Sequence, residues 1–539
     1  MKRNLTLGIV LSALIVTSCV KDLDVTPKDP STILADNLKN DPIYTKQVLA
    51  KIYASFIISG QSGSSADADI SASDVNFFTT IRALWNCQEI TTDEAICAWG
   101  DVGIADLNTQ TWSPSNPFLT ALYQRLGLSI TYANDFIRLT KDSNDPDVQR
   151  YNAEARFLRA LAYYWHMDLF GNPPFTTEND KIGKFYPKQI KRADLFNYIV
   201  TELKDITPKL GASRYSYPQA DKSAAWMLLA RTYLNAKVYT GTEKWDSCKM
   251  YCDSVILNGG YSLAKNYRQN FSADNDQSPE MIFAFAQDGI NIQGYVGTTF
   301  IIESSSDAKY VRAEDFHGLT SNTNWNGNRA RKDFLNVMID TIATYGNVTI
   351  PTSDSLFSTS KDTRVLLKRK KSLDIPSASS SGDYGVGVYK FTARNSDKTL
   401  PANYNTAYAC TDFPIFRLAD AYLMRAEAQF RINGGGLDDL NYVRDRAFQA
   451  GEFGSNSPNR LTSIDEKAIL NERGREFYYE AQRRTDLVRF GQFTNGTYKW
   501  TWKGGVFTGA ATSSHLDIFP IPGDEVAANP NISQNKDYN

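Results

Sequence analysis

Three aromatic residues of this chain stand in settings unusual for a buried ring. Trp325 lies in 321–328 (SNTNWNGN), surrounded by polar residues and glycine. Trp99 is followed directly by Gly100 and Asp101 in 91–101 (TTDEAICAWGD), and Tyr295 sits between glycines in 293–297 (QGYVG). Rings of this kind next to Asp, Asn or Arg, on rigid loops, suit a saccharide. The apolar C–H face of a sugar stacks on a flat ring, and its hydroxyls need amide, carboxylate or guanidinium partners. Core packing is the competing reading for each ring, and Ala95 and Ile96 could draw Trp99 inward. Trp85, Trp112, Trp226 and Trp245 are read as core. With 29 Tyr, 28 Phe and 9 Trp, most aromatic rings must be core in any case.

Other chemistries find less material. Glycoside hydrolysis needs two carboxyl groups about 5 to 9.5 Å apart across a cleft, and no such acid/base pair stands out among the many Asp and Glu. His166, His317 and His515 are scattered, without metal-type or Ser-His spacing. The stretch 272–278 (SADNDQS) could hold a structural Ca²⁺, but its spacing fits no EF-hand, and a solvated loop is the alternative. No other cofactor is expected.

Residues 1–18 read as a secretory signal with Lys2 and Arg3 at its start, an apolar run from Leu5 to Val16, and Thr17-Ser18 before Cys19. The apolar run is too short to span about 30 Å of hydrocarbon as a helix. A thiol at the cleavage point can take a lipid and become the new N-terminus, so Cys19 is the expected anchor. Residues 19–41 are polar and carry Pro27 and Pro30, which suits an extended tether. Loss of Lys2 and Arg3 moves the formal charge from −2 to −4, leaving no basic surplus for nucleic acid. Cys87, Cys97, Cys248, Cys252 and Cys410 remain. Cys248 and Cys252, one helical turn apart, suggest core packing; Cys87 and Cys97 could close a loop if the geometry allowed.

The elements that must position the rings are mainly helical. Helical periodicity covers about 43–58, 115–139, 152–170, 222–236, 245–257, 416–432 and 437–446, and a single stretch 464–490 closed by Gly491. Trp226-x-x-Leu229-Ala230-x-x-Tyr233 matches the first-helix half of a tetratricopeptide repeat, Ala160 and Tyr163 repeat its small-to-Tyr spacing, and Leu423 with Ala426 suggests another. The predicted fold is mostly α, a tetratricopeptide-like scaffold of about four helix pairs (about 42–60, 115–260 and 412–492). Loop-rich regions follow at about 60–112 and 261–411, with β-type runs at 281–286 and 384–391, and a tail at 493–539. Residues 42–539 would form one body. An enlarged loop is expected at 237–244.

Three long motifs carry a resemblance. Residues 154–175 read EARFLRALAYYWHMDLFGNPPF, 471–491 read NERGREFYYEAQRRTDLVRFG, and the tail reads FPIPGDEVAANPNISQN at 519–535. With the cysteine box they resemble the SusD/RagB family of outer-membrane nutrient-binding lipoproteins, over essentially the whole mature chain. Ala481 departs from the family's usual glycine, and the chain ends Lys536-Asp537-Tyr538-Asn539 in place of Asn-Pro-Gly-Tyr. Glu480, Arg483, Asp486 and Arg489 are read as architectural ion pairs.

The resemblance implies four tetratricopeptide-like units supporting a loop-rich ligand face. It implies a lipid-anchored protein on the outer membrane, facing the exterior, and a partner, a TonB-dependent SusC-like transporter that it caps. The 91–101 loop resembles that of starch-binding members, in which a tryptophan stacks on the sugar. Asp74 and Arg82 fall at positions resembling polar contacts of that site, although a surface salt bridge would explain them equally. The candidate glycan-binding set is therefore Trp99, Asp101, Trp325, Tyr295, Asp74 and Arg82. A non-catalytic glycan-capturing lipoprotein is the expected function. Peptide capture on the same fold, as in RagB-type members, is the alternative, with a surface glycoside hydrolase behind it.

Overall fold

Three of the long helices begin at an Asx–Pro pair. Asp41, Asn116 and Asp145 each accept backbone N–H groups of the first turn, and Pro42, Pro117 and Pro146 occupy the first helical position. The missing proline donor is one the first turn cannot use, so the pair sets a helix start at little cost. It also explains why the third helix begins at Pro146 and not at residue 152. The computed structural model describes residues 41–60, 68–70, 79–307, 309, 317–321, 324–338, 361–449 and 459–538. Cys19, the tether up to residue 40 and Asp74 lie outside the described residues.

The chain is mostly helical. Helix Pro117–Thr140 packs on Pro146–Phe170, which packs in turn on Arg192–Ile206. Lys222–Leu234 packs on Trp245–Asn258, and that helix on Leu418–Asn433, which is followed by Leu437–Ala447 and Glu466–Phe477. The tetratricopeptide-type positions Leu229, Ala230 and Tyr233 are buried in this stack. Trp85 and Trp112 are core, while Trp226 and Trp245 are half-buried against it. The loop expected at 237–244 begins with a short helix, Ala236–Thr240, which ends at the left-handed Gly241. Among the described residues no helix is long and apolar enough to cross a membrane.

The β-type runs form small antiparallel ladders. Strand Met281–Phe285 pairs with Phe413–Arg417, and Leu367–Arg369 pairs with Val386–Val388. The helix expected from residue 416 therefore starts at Leu418, after the strand. The tail binds the end of the Pro146–Phe170 helix: Phe519 N–H donates to the Leu169 carbonyl, and the Asn535 amide donates to Phe170 O and Phe519 O. Gly171, at φ 77°, lets the tail approach, since a Cβ there would lie 2.4 Å from Ile518 Cδ1.

Two regions depart from expectation. Residues 79–97 are buried, although their composition reads as loop: helix Thr80–Trp85 continues into a wide turn, Asn86–Ile90, and strand Ile96–Cys97 follows. Their polar groups are taken up internally. Asp93 pairs with Arg483 at 2.8 Å, and Glu94 and Glu89 accept the backbone N–H groups of Tyr479 and Gln482. Cys87 and Cys97 are buried free thiols, as are Cys248, Cys252 and Cys410. The other departure is the stretch 464–490, which is two helices, Glu466–Phe477 and Arg483–Arg489. The helix breaks because the backbone at 479–482 faces residues 85–94; Trp85 Nε1 also donates to Tyr479 O. Tyr479 and Ala481 hold φ of 65° and 58° there.

Glu480, between those two residues, bonds Arg417 and Lys390, while Arg473 and Arg489 both reach Asp486. The four charges read as architectural are thus buried ion-pair partners. The φ of Ala481 also explains the glycine usual in the family, since a left-handed residue with a Cβ costs about 1–2 kcal/mol. We expect Ala481→Gly to stabilise the fold by about 0.5–1 kcal/mol after glycine's greater unfolded-state entropy is set against that strain. The measurement is the thermal unfolding midpoint, and a lower midpoint in the variant would contradict the strain.

Candidate functional site

Two strands of two residues each bring Trp99 and Trp325 together. Ile96 pairs with Arg329 and Cys97 with Asn328, so the antiparallel register carries the residues after Cys97 alongside those before Asn328. Ala98 N–H donates to Gly327 O at 2.8 Å, and the Trp99 indole N–H donates to Trp325 O at 3.3 Å. The Trp99 ring lies directly over Gly327, where a Cβ would fall 2.2 Å from its Cε2. Any side chain at 327 would push the ring away.

The Trp325 loop docks on the end of helix Gly297–Ser305. The backbone N–H groups of Trp325, Gly327 and Asn326 donate to the carbonyls of Glu303, Ser304 and Ser306 at 3.0, 2.8 and 3.1 Å. These include carbonyls a helix end leaves without intrahelical partners. Asn324 and Asn326 hold φ of 63° and 51°, so a left-handed residue stands on each side of the tryptophan. Asparagine tolerates this conformation better than most residues, which accounts for the polar setting of Trp325. Lys370 Nζ fixes Asn326 Oδ1 at 2.5 Å and Gly382 O at 2.7 Å.

Tyr295 enters from the segment preceding the same helix. Its ring centroid is 5.9 Å from that of Trp325, tilted 62°, and 5.1 Å from that of Tyr408, tilted 49°. Trp99 and Trp325 are 6.3 Å apart at 51°. All four rings are half-buried. They form a wall of rings, each tilted against the next, set by segments far apart in sequence.

Phe300 packs edge-on beneath Trp99 at 6.0 Å. The Arg82 guanidinium lies 4.7 Å from the Phe300 ring and 5.8 Å from that of Trp99. Arg82 is only 7% exposed, so it backs the wall. Asp101 is exposed at the rim, and its carboxylate makes no hydrogen bond or ion pair among the described residues. The structure therefore brings Trp99, Trp325, Tyr295 and Arg82 together, with Asp101 beside them. Tyr408 completes the wall and Phe300 supports it from beneath; neither was read from sequence, because nothing in the runs around them separates them from other core aromatics.

Glu303 fastens this wall. Its Oε2 accepts the Asn324 N–H at 2.7 Å and the Ser306 hydroxyl at 3.4 Å. Burial pushes its carboxyl up to about 7, and the bond from Asn324 only partly offsets this. His317 stands 3.8 Å away, but burial and Arg394 push it down to about 4, so it is neutral near pH 7. Elsewhere, the Asp274 carboxylate in the 272–278 stretch accepts the Ser396 N–H and hydroxyl. Among the described residues no group of three or more His, Cys, Asp or Glu side chains is placed to hold a metal ion.

Comparison with known proteins matches residues 229–538 to the SusD family. The chain is 34% identical to the starch-binding protein SusD of Bacteroides thetaiotaomicron, covering 97% of this chain and 96% of that one. It is 25% identical to the SusD-like protein P25 of Formosa agariphila over 79% of each. Among solved structures, a SusD-like carbohydrate-binding protein from Bacteroides fragilis gives a TM-score of 0.70 at 20% identity, covering 92% of this chain and all of that one. Surface glycan-binding protein A of Bacteroides thetaiotaomicron, in complex with laminarihexaose, gives 0.64 at 18% identity, covering 92% and 99%.

The raised carboxyl of Glu303 has a consequence for stability. A group whose pKa is higher folded than unfolded contributes fully below the unfolded value, near 4.5, and loses that contribution as pH rises through about 7. We expect Glu303→Gln, which keeps the acceptor for Asn324, to gain stability relative to the parent between pH 5 and pH 8. Denaturation midpoints across that range test this; parallel pH profiles for the two proteins would contradict it.

Proposed function

The chain belongs to the SusD family, and on that premise we propose that it captures a glycan at the cell surface through the aromatic wall of Trp99, Trp325, Tyr295 and Tyr408. The single observation supporting this most is the wall itself: four half-buried rings, drawn from distant segments and held by hydrogen bonds to a helix end. Successive sugar units can stack on successive tilted faces, and the tilt suits a curved chain better than a flat one. An α-glucan is therefore the first ligand to test, a choice also supported by the starch-binding name of the relative at 34% identity. Asp101 at the rim, and Asp74, would supply polar contacts to sugar hydroxyls.

The role we infer is capture and hand-over. Cys19 would carry the lipid anchor and the polar segment after it would hold the body off the outer membrane. The partner would be a TonB-dependent SusC-like transporter. Binding without turnover fits Glu303, whose carboxyl lies beneath the rings and is bonded to backbone, out of reach of a glycosidic bond.

Native-gel retardation of the full chain in amylopectin, laminarin and other polysaccharides, with Trp99→Ala and Trp325→Ala alongside, tests this reading. We expect one glycan to retard the parent and each variant to lose about tenfold or more in affinity, roughly 1.4 kcal/mol. Retardation unchanged in both folded variants would overturn it, as would binding of oligopeptides with no glycan retained.

A further inference from the structure

A second pair of aromatic rings reaches solvent in the tail. Phe507 is 39% exposed, its neighbour Val506 45%, and the half-buried Trp502 ring stands 5.8 Å from Phe507, tilted 77°. Trp502 holds φ of 72°, a left-handed conformation that costs a residue with a Cβ about 1–2 kcal/mol. Such strain persists only where the surroundings over-determine it. Here Trp502 N–H donates to Val506 O and Gly505 N–H donates to Trp502 O, both at 3.1 Å. The indole N–H donates to Ile375 O at 2.8 Å, so the ring is fixed. Beside it, the Lys332 ammonium lies 5.5 Å from the Phe507 ring and pairs with Asp374.

Loop 374–383 joins this pair to the wall. Its carbonyls at Ile375, Ala378, Ser380 and Gly382 accept bonds from Trp502, Asn108, Arg329 and Lys370, at 2.7 to 3.1 Å. The same Lys370 fixes Asn326, beside Trp325, and a Cβ at Gly382 would fall 2.1 Å from Asn326 O. The loop therefore starts against Trp502 and ends against the Trp325 loop. Residues 375 to 382 span at most about 25 Å. While these carbonyls are bonded to the protein, Ser377, Ser379 and Ser381 stand exposed between the two sets of rings. Arg331 ties the two ends independently, donating to Thr501 O, next to Trp502, and to Ala95 O, in the segment that carries Trp99.

This chemistry selects the occupant. Accessible rings at both ends suit the apolar C–H faces of sugars, and the serine hydroxyls between them can donate to and accept from sugar hydroxyls. Lys332 pairs with Asp374 at one end of the loop and Lys309 with Asp383 at the other, which favours a neutral chain over a charged one.

We propose that Trp502 and Phe507 form a second glycan platform, continuous with the wall along the exposed serines, so that one long neutral polysaccharide lies on both. The platform rests on the glycan reading above and adds chain length to it. A short oligosaccharide needs only the wall, whereas a polymer engages both contacts at once and gains avidity.

The test measures dissociation constants of the full chain, Trp502→Ala and Phe507→Ala for amylopectin and laminarin, with maltotriose and laminaritriose as short probes. Each variant should bind the polymer about tenfold more weakly than the parent and the trisaccharide equally well. Phe507 lies at the surface, so Phe507→Ala should keep the parent's unfolding midpoint, which separates a lost contact from a lost fold. Polymer affinity unchanged in both variants would overturn the platform and leave the pair to a protein partner; the wall reading still stands if Trp325→Ala loses binding. Equal losses for polymer and trisaccharide would overturn it as well, by placing the effect in the wall. If the parent binds no glycan, both readings fall.

Discussion

Buried charge pairing around Glu476 is the constraint on which this structure depends. Its carboxylate meets Arg446 at 2.5 Å, Arg417 at 3.0 Å and Arg364 at 3.3 Å, all with side chains at most 1% exposed. Burial alone would raise the Glu476 pKa; the three guanidinium groups reverse this and bring it to about 2. Arg417 also binds Glu280 and Glu480, and Lys390 adds a second cation against Glu480 at 2.6 Å. Removing a charge from water costs several kcal/mol per ion, so such a web is stable only when each member is answered. Its members come from the scaffold helices (Arg446, Glu476), the helix break (Glu480), the strand ending at Arg417, and the loop-rich region (Glu280, Arg364, Lys390). The web therefore ties the loops to the scaffold in one register.

The same principle reaches the aromatic wall through Arg331. Its guanidinium donates to the carbonyls of Ile90, Thr92, Ala95, Asn108 and Thr501, with distances of 2.5 to 3.1 Å. Burial brings Arg331 down to about 9, which still leaves it charged near pH 7. One cation thus clamps both flanks of the segment that carries Trp99, while Arg483 holds Asp93 within it. The rings are exposed enough to meet a ligand, yet the backbone beneath them is among the most buried in the molecule. Loops on a rigid support lose little entropy on binding, which favours recognition by a preformed surface.

Much of this was legible in the sequence, and the remainder for definable reasons was not. Helices announced themselves by period and glycine stops, whereas the Asx–Pro starts, which set the beginning at Pro146, went unread. Trp325, Trp99 and Tyr295 were visible because asparagine and glycine neighbours are poor company for a core ring. Residues 79–97 read as loop because they fall in a wider stretch, 60–112, rich in Gly, Ser, Asn and Asp, whereas Arg331, Arg483 and the backbone at 479–482 satisfy their polar groups in the interior. The break at Tyr479–Ala481 could not be read from a strong helical pattern, since its cause is a contact with residues nearly 400 positions away. Tyr408, Phe300 and Glu303 gain their place only from the pairing of the short strands and the docking of the Trp325 loop.

If the aromatic wall is preformed by buried charge and backbone bonds, a glycan should lie on it without reshaping it. Crystal structures of the chain alone and with a bound oligosaccharide test this most directly. We expect sugar rings stacked on Trp99, Trp325 and Tyr295, with the backbone of residues 96–101 and 324–329 superposing within about 1 Å between the two states. Sugar bound away from these rings, or a wall that assembles only on binding, would contradict it.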